Sequence, residues 1–162
     1  MARNVFYSFH FANDFWRTQQ VRNINALSGQ AFVKPNEWET IKRQGDKAIQ
    51  NWIDNNMKGK SCVVVLIGSD TASRKWVRYE ISKAWNEKKA ILGIHINKLL
   101  DITGQPSAKG ESPFSKVSFN DGSGTLDGRV IVKTPEGRNS KETYASIAAN
   151  IEQWIEEAIA SR

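Results

Sequence analysis

The sequence predicts an α/β fold: a mainly parallel central sheet with helices on both faces. Three observations carry that prediction. Two short apolar runs, CVVVLIG at 62–68 and AILGIHI at 90–96, have the all-apolar character of strands buried on both faces. Segments with apolar residues at helical spacing flank and separate them. The order strand, helix, helix, strand, helix, strand, irregular region, helix is that of parallel strands joined by crossovers. The length of 162 residues suits one domain, 1–162, with room for a core.

The first element is a strand over 4–11, NVFYSFHF, whose alternating positions are apolar on both sides. Asn13 or Asp14 is placed to cap a helix over about 15–24. Residues 25–36 read as a loop broken by Gly29 and Pro35. A long helix is expected over 38–57, with Trp38, Ile41, Ala48, Ile49, Trp52, Ile53 and Met57 on one face and Gly59 where it stops. The strand 62–68 follows, ended by Ser69 and Asp70. A helix over 73–88 buries Val77, Ile81, Ala84 and Trp85, and the strand 90–96 comes next. The stretch 97–138 is irregular. Within it, VSFNDGSGTLDGRVIVKT reads as a β-hairpin-like insertion near 115–138 at an edge of the sheet. The helix 141–160 is strongly amphipathic. Trp38, Trp52, Trp85 and Trp154 fit helix faces as core residues.

Composition narrows the function. Hydrophobic content of 40% and charged content of 25% are those of a soluble globular chain. No apolar run approaches the roughly 18–20 residues that cross a membrane, and MARNVFYSFHF lacks the apolar core of a signal peptide. One cysteine, Cys62, lies in an apolar run and reads as a core thiol, so a reducing, cytoplasmic setting is expected. Net charge is +6. Basic residues cluster over 71–99, while the last helix carries Glu142, Glu152, Glu156 and Glu157. The basic patch reads first as a solvated face, so nucleic acid is disfavoured as a partner. The opposed charges suit self-association.

Several chemistries are excluded by what the chain lacks. It has neither G-x-G-x-x-G nor G-x-x-x-x-G-K-[ST]. Two histidines and one cysteine give no metal-ligand spacing, so no metal site is expected. A receiver-type phosphoacceptor needs acidic residues at the first strand's exit. The chain has Ser8, Phe9 and His10 there.

Ligands of open α/β sheets bind outside the carboxyl ends of the strands. The loops 8–14, 68–74 and 96–104 therefore matter most. Glu80 is the residue of interest on the helix after the second exit. At about 100° per residue it falls roughly 60° from Val77, on the rim of the buried face. Pattern alone favours a solvated Glu–Lys pair with Lys83 or Lys88. The other reading is a partly desolvated carboxylate beside Trp76, facing the cleft. His10 has a similar duality between an edge residue and a cleft residue.

VFYSFHF, GSDTASRKWVRYEISKAW, ILGIHIN and KGESPF together resemble the TIR-like domain of the Thoeris anti-phage defence protein B family, of the MTH538 type. The resemblance covers residues 4 to about 114. Its most specific part is W-V-R-Y-E, the W-x-x-x-E pattern of enzymatic TIR domains. It implies a flavodoxin-like, TIR-like three-layer sandwich. It implies an enzyme, of glycohydrolase or cyclase type, that breaks the nicotinamide–ribose bond of NAD as substrate, with no further cofactor. It implies a cyclic ADP-ribose-type signal that diffuses to a separate effector protein, and assembly through TIR–TIR contacts. Glu80 takes the catalytic place and Trp76 a supporting one. Ser8, Phe9 and His10 are expected to line the cleft with Ser69 and Asp70, and Arg78 to meet the pyrophosphate. The alternative is a non-catalytic TIR-like module that binds other proteins.

Overall fold

The computed structural model describes residues 3–24, 27–30 and 33–162 of the chain. Among these, five parallel strands form one sheet in the order β2-β1-β3-β4-β5. The strands are β1 (Arg3–Ser8), β2 (Leu27–Ser28), β3 (Cys62–Ile67), β4 (Ala90–His95) and β5 (Ile131–Lys133). The helices are α1 (Phe11–Arg22), α2 (Pro35–Arg43), α3 (Asp46–Met57), α4 (Lys75–Asn86) and α5 (Ser140–Ala160).

Two cores follow from the alternation of side chains along the strands. Cys62, Val64 and Leu66 of β3 face one way and pack with Val21 of α1 and Ile147, Ile151 and Ile155 of α5. Val63, Val65 and Ile67 face the other way and pack with Ile49 and Ile53 of α3 and Val77, Ile81 and Ala84 of α4. This is the expected three-layer arrangement. All six residues of β3 and all six of β4 are buried, as their apolar runs required. Cys62 is a core thiol with no exposure, and burial pushes its pKa up to about 12. No helix among the described residues is long and apolar enough to cross a membrane.

Several boundaries differ from expectation. The helix placed at 15–24 begins at Phe11, with His10 at its N-cap position. Neither Asn13 nor Asp14 caps it: Asp14 turns inward and pairs with Arg17 at 2.8 Å. The single helix placed at 38–57 is two, because Gly45 takes φ 97° and turns the chain between α2 and α3. The loop placed at 25–36 holds the short strand β2, and Pro35 starts α2. Positions 25, 26, 31 and 32 of that loop lie outside the described residues. The helix placed at 73–88 is a 3-10 turn, Thr71–Ser73, followed by α4.

The hairpin-like insertion is reduced to one antiparallel bridge, Ser118 with Thr125. Its second expected arm joins the central sheet instead, as the edge strand β5 beside β4. Phe114, Val117 and Leu126 from this stretch are buried in the core shared with α3 and α4, which is why it folds back.

The end of α4 holds one unfavourable backbone conformation. Lys88 has φ 60°, the left-handed region in which a Cβ is crowded. The turn needs it, since the Lys89 amide reaches back to the Ala84 carbonyl at 2.9 Å. Lys88→Gly should therefore stabilise the fold by about 0.5–1 kcal/mol. Urea denaturation would register this as a higher midpoint, and an unchanged midpoint would contradict it.

Candidate active site

β1 ends at Ser8 because the chain there must leave the sheet to start α1. Ser8 has no exposure. Its hydroxyl donates to the Oε1 of Glu80 at 2.6 Å. Glu80 lies on the buried flank of α4 beside Val77 and Ile81, and is itself only 7% exposed. The solvated pairing with Lys83 or Lys88 is not formed. Lys83 pairs with Glu87 and, at 3.6 Å, with Asp54. Among the described residues no lysine or arginine forms an ion pair with Glu80. Burial pushes its pKa up to about 8, and the Ser8 hydrogen bond only partly opposes that. That shift favours the protonated carboxyl at neutral pH.

Beside this pair opens a cleft of about 690 Å³ at the strand ends. Its lining is aromatic on one count and cationic on another. Phe9, Phe11, Phe15, Trp16, Trp38 and Trp76 supply rings. Phe11 stacks between Phe9 and Trp38, with centroids at 5.5 and 5.4 Å. Lys42, Arg74 and Lys75 line the same cleft against one acid, Glu39. α4 contributes Trp76 and Val77 to the lining. Glu80 is one turn further along that helix and is not among the lining residues.

The expected site residues divide into three groups. Phe9, His10 and Trp76 line the cleft. Ser8 and Glu80 are bonded together outside that lining. The others lie apart. Ser69 lines a separate cleft of about 340 Å³ with Arg17, Asp101 and Ser107. Asp70 accepts from the Ser73 hydroxyl at 2.6 Å and closes the 3-10 turn. Arg78 donates from Nε to the Ala72 carbonyl at 3.0 Å and holds that turn against α4. His10 is 9% exposed and its Nδ1 has no partner. Burial first, and then the charges of Arg74 and Lys42, lower its pKa, while Asp70 opposes them. It is neutral near pH 7.

Sequence reasoning missed Lys42 and Arg74, and it assigned Trp38 to the core alone. Trp38 does pack on the α3–α4 core, yet it also faces the cleft. The density of rings in F-H-F-A-N-D-F-W was a usable signal for an aromatic wall. Nothing local announces that α2 reaches the first strand's exit.

Comparison with known proteins identifies the family. The family model described as "Thoeris protein ThsB, TIR-like domain" matches residues 6–101, a span that includes Ser8, the cleft loops and all of α4. A Bacillus cereus (strain MSX-D12) protein named "Putative cyclic ADP-D-ribose synthase ThsB1" is 38% identical over 126 residues. That alignment covers 74% of this chain and 65% of the relative's length.

Proposed function

The chain belongs to the Thoeris ThsB TIR-like domain family, and from that premise we propose that it consumes NAD and makes a cyclic ADP-ribose-type signal. The observation that carries the reading is the W-x-x-x-E carboxylate of Glu80, buried against Ser8 on the helix whose first turn lines an aromatic, cationic cleft. The name of the Bacillus cereus relative supports the same product class.

The chemistry follows from the groups present. Nicotinamide leaves with the electron pair of its bond to the ribose C1′, and its ring becomes neutral. The ribose is left as an oxocarbenium-like cation. A fixed carboxylate stabilises that charge, as carboxylates do in glycoside hydrolysis. Glu80 must be ionised for this. The positively charged nicotinamide ring of bound NAD favours the ionised form and pulls the pKa back down from about 8. Ser8 keeps the carboxylate oriented. Capture of the cation by a group of the same molecule closes a ring, whereas capture by water gives ADP-ribose. Exclusion of water by the nucleotide packed on the aromatic lining would favour closure. The product then acts on a separate effector protein.

The test is incubation with NAD, alone and with lysate of phage-infected cells, followed by mass spectrometry. Nicotinamide release should fall by about 100-fold or more in Glu80→Gln, the scale of losing a main electrostatic stabiliser. Turnover by that variant at the parent rate would exclude the assignment. The non-catalytic alternative expects Glu80 on an outer surface tied to Lys83, and Glu80 is instead buried against Ser8; the enzymatic reading expects its carboxylate in the cleft, and Glu80 is not among the lining residues, so the NAD assay decides between the two.

A further inference from the structure

We propose that Lys42 and Arg74, which line the cleft with His10, form the subsite that holds the diphosphate of the dinucleotide. This deepens the NAD reading and rests on it for the identity of the ligand. The sequence had given that task to Arg78, but Arg78 is engaged with the Ala72 carbonyl and does not line the cleft.

Three independent features converge. First, the cleft combines rings with surplus positive charge, and a phosphorylated aromatic molecule matches both. Second, Lys42 comes from α2 and Arg74 from the turn before α4, and both line the cleft with His10. Two cations from separate elements lining one cleft add positive potential there, with Asp70 beside Arg74 opposing them. His10 is nine-tenths buried there, with an unpartnered nitrogen. Third, Arg74 occupies the N-cap position of α4 and no side chain caps that helix. Its first amides add to the same field.

The present partners of the two cations are weak. Lys42 pairs with Glu39 at 3.2 Å, and Arg74 with Asp70 at 3.8 Å, all at solvent-accessible positions. Such exposed pairs are weak, so a doubly charged diphosphate can displace them.

Equilibrium binding of ADP, adenosine and inorganic pyrophosphate, measured by titration calorimetry, tests this without needing turnover. The parent should bind ADP more tightly than adenosine, with the gap narrowing as salt rises. Arg74→Gln and Lys42→Gln should each weaken ADP by about 5–10-fold, the scale of one charge-assisted contact, and leave adenosine unchanged. Both side chains are surface-exposed, so folding is expected to persist. Equal affinity for ADP and adenosine, ADP binding indifferent to both variants, or no ADP binding at millimolar concentration would each overturn the subsite. The NAD assay separates the two ideas. Charge-dependent ADP binding in a protein that never consumes NAD would sink the enzymatic reading and spare the subsite. Normal NAD turnover with unchanged KM in the double variant would do the reverse.

Discussion

Glu80→Gln is expected to be catalytically silent and, at pH 8, more stable than the parent protein. The carboxyl ionises near 4.5 in an open chain and at about 8 in the fold. Between those values the unfolded chain binds fewer protons than the folded one. Stability therefore falls as pH rises from about 4.5 to about 8, then levels off. A gap of that size corresponds to roughly 4–5 kcal/mol, or roughly 10 °C in Tm for a chain of this length. Glutamine keeps an oxygen for the Ser8 hydroxyl and never ionises. The variant should match the parent near pH 4.5 and exceed it increasingly up to pH 8. Asp14 is also held above the usual carboxylate range by burial, with Arg17 opposing, so some pH dependence will remain in both proteins. The difference between the two melting curves isolates Glu80. A difference that stays constant from pH 5 to pH 8 would mean the folded carboxyl is not raised.

That expectation ties function to fold. A carboxyl buried at an energetic cost, in a position where an apolar residue would pack, is a stability sacrifice of the kind active sites carry. The same burial makes it a strong electrostatic reagent once ionised. Ser8 limits the cost by donating the one short hydrogen bond.

How much of this was legible depends on where the information lies. β3 and β4 could be read because each is six consecutive buried residues, a pattern written locally. β5 could not: it is three residues of partial exposure at an edge, inside a glycine-rich stretch. The break between α2 and α3 rests on one glycine that tolerates φ 97°, and the apolar periodicity runs through it. Glu80 was legible as a rim residue from its helix, and the W-x-x-x-E resemblance gave it a role. Its meeting with Ser8, 72 positions earlier, is a property of the β1–β3 pairing and has no local signature. The same holds for Lys42 and Arg74.

Arg17→Ala is expected to cost about 3–5 kcal/mol, the range for breaking a buried ion pair from one side. Arg17 is 3% exposed and Asp14 has no exposure. The guanidinium donates to Asp14 Oδ1 at 2.8 Å, to the Leu99 carbonyl at 2.8 Å and to the Gln105 carbonyl at 2.9 Å. It thereby joins α1 to the 97–107 loop that carries Ile102 into the cleft. Asp14 cannot turn away once Arg17 is gone, because it is pressed against Gly68, where even a Cβ would collide with its oxygens. Its remaining escape is to bind a proton. With the Arg17 contact that lowers it removed, the Asp14 carboxyl rises further, so the loss should be larger at pH 8 than at pH 5. Arg17→Ala combined with Asp14→Asn should lose that pH dependence and regain part of the stability, since no buried charge is left. The carbonyls of Leu99 and Gln105 would still lack their donor, so recovery is incomplete. Thermal melts of the three proteins at pH 5 and pH 8 decide the matter. A single variant whose deficit is the same at both values would mean that Asp14 keeps its charge by another route.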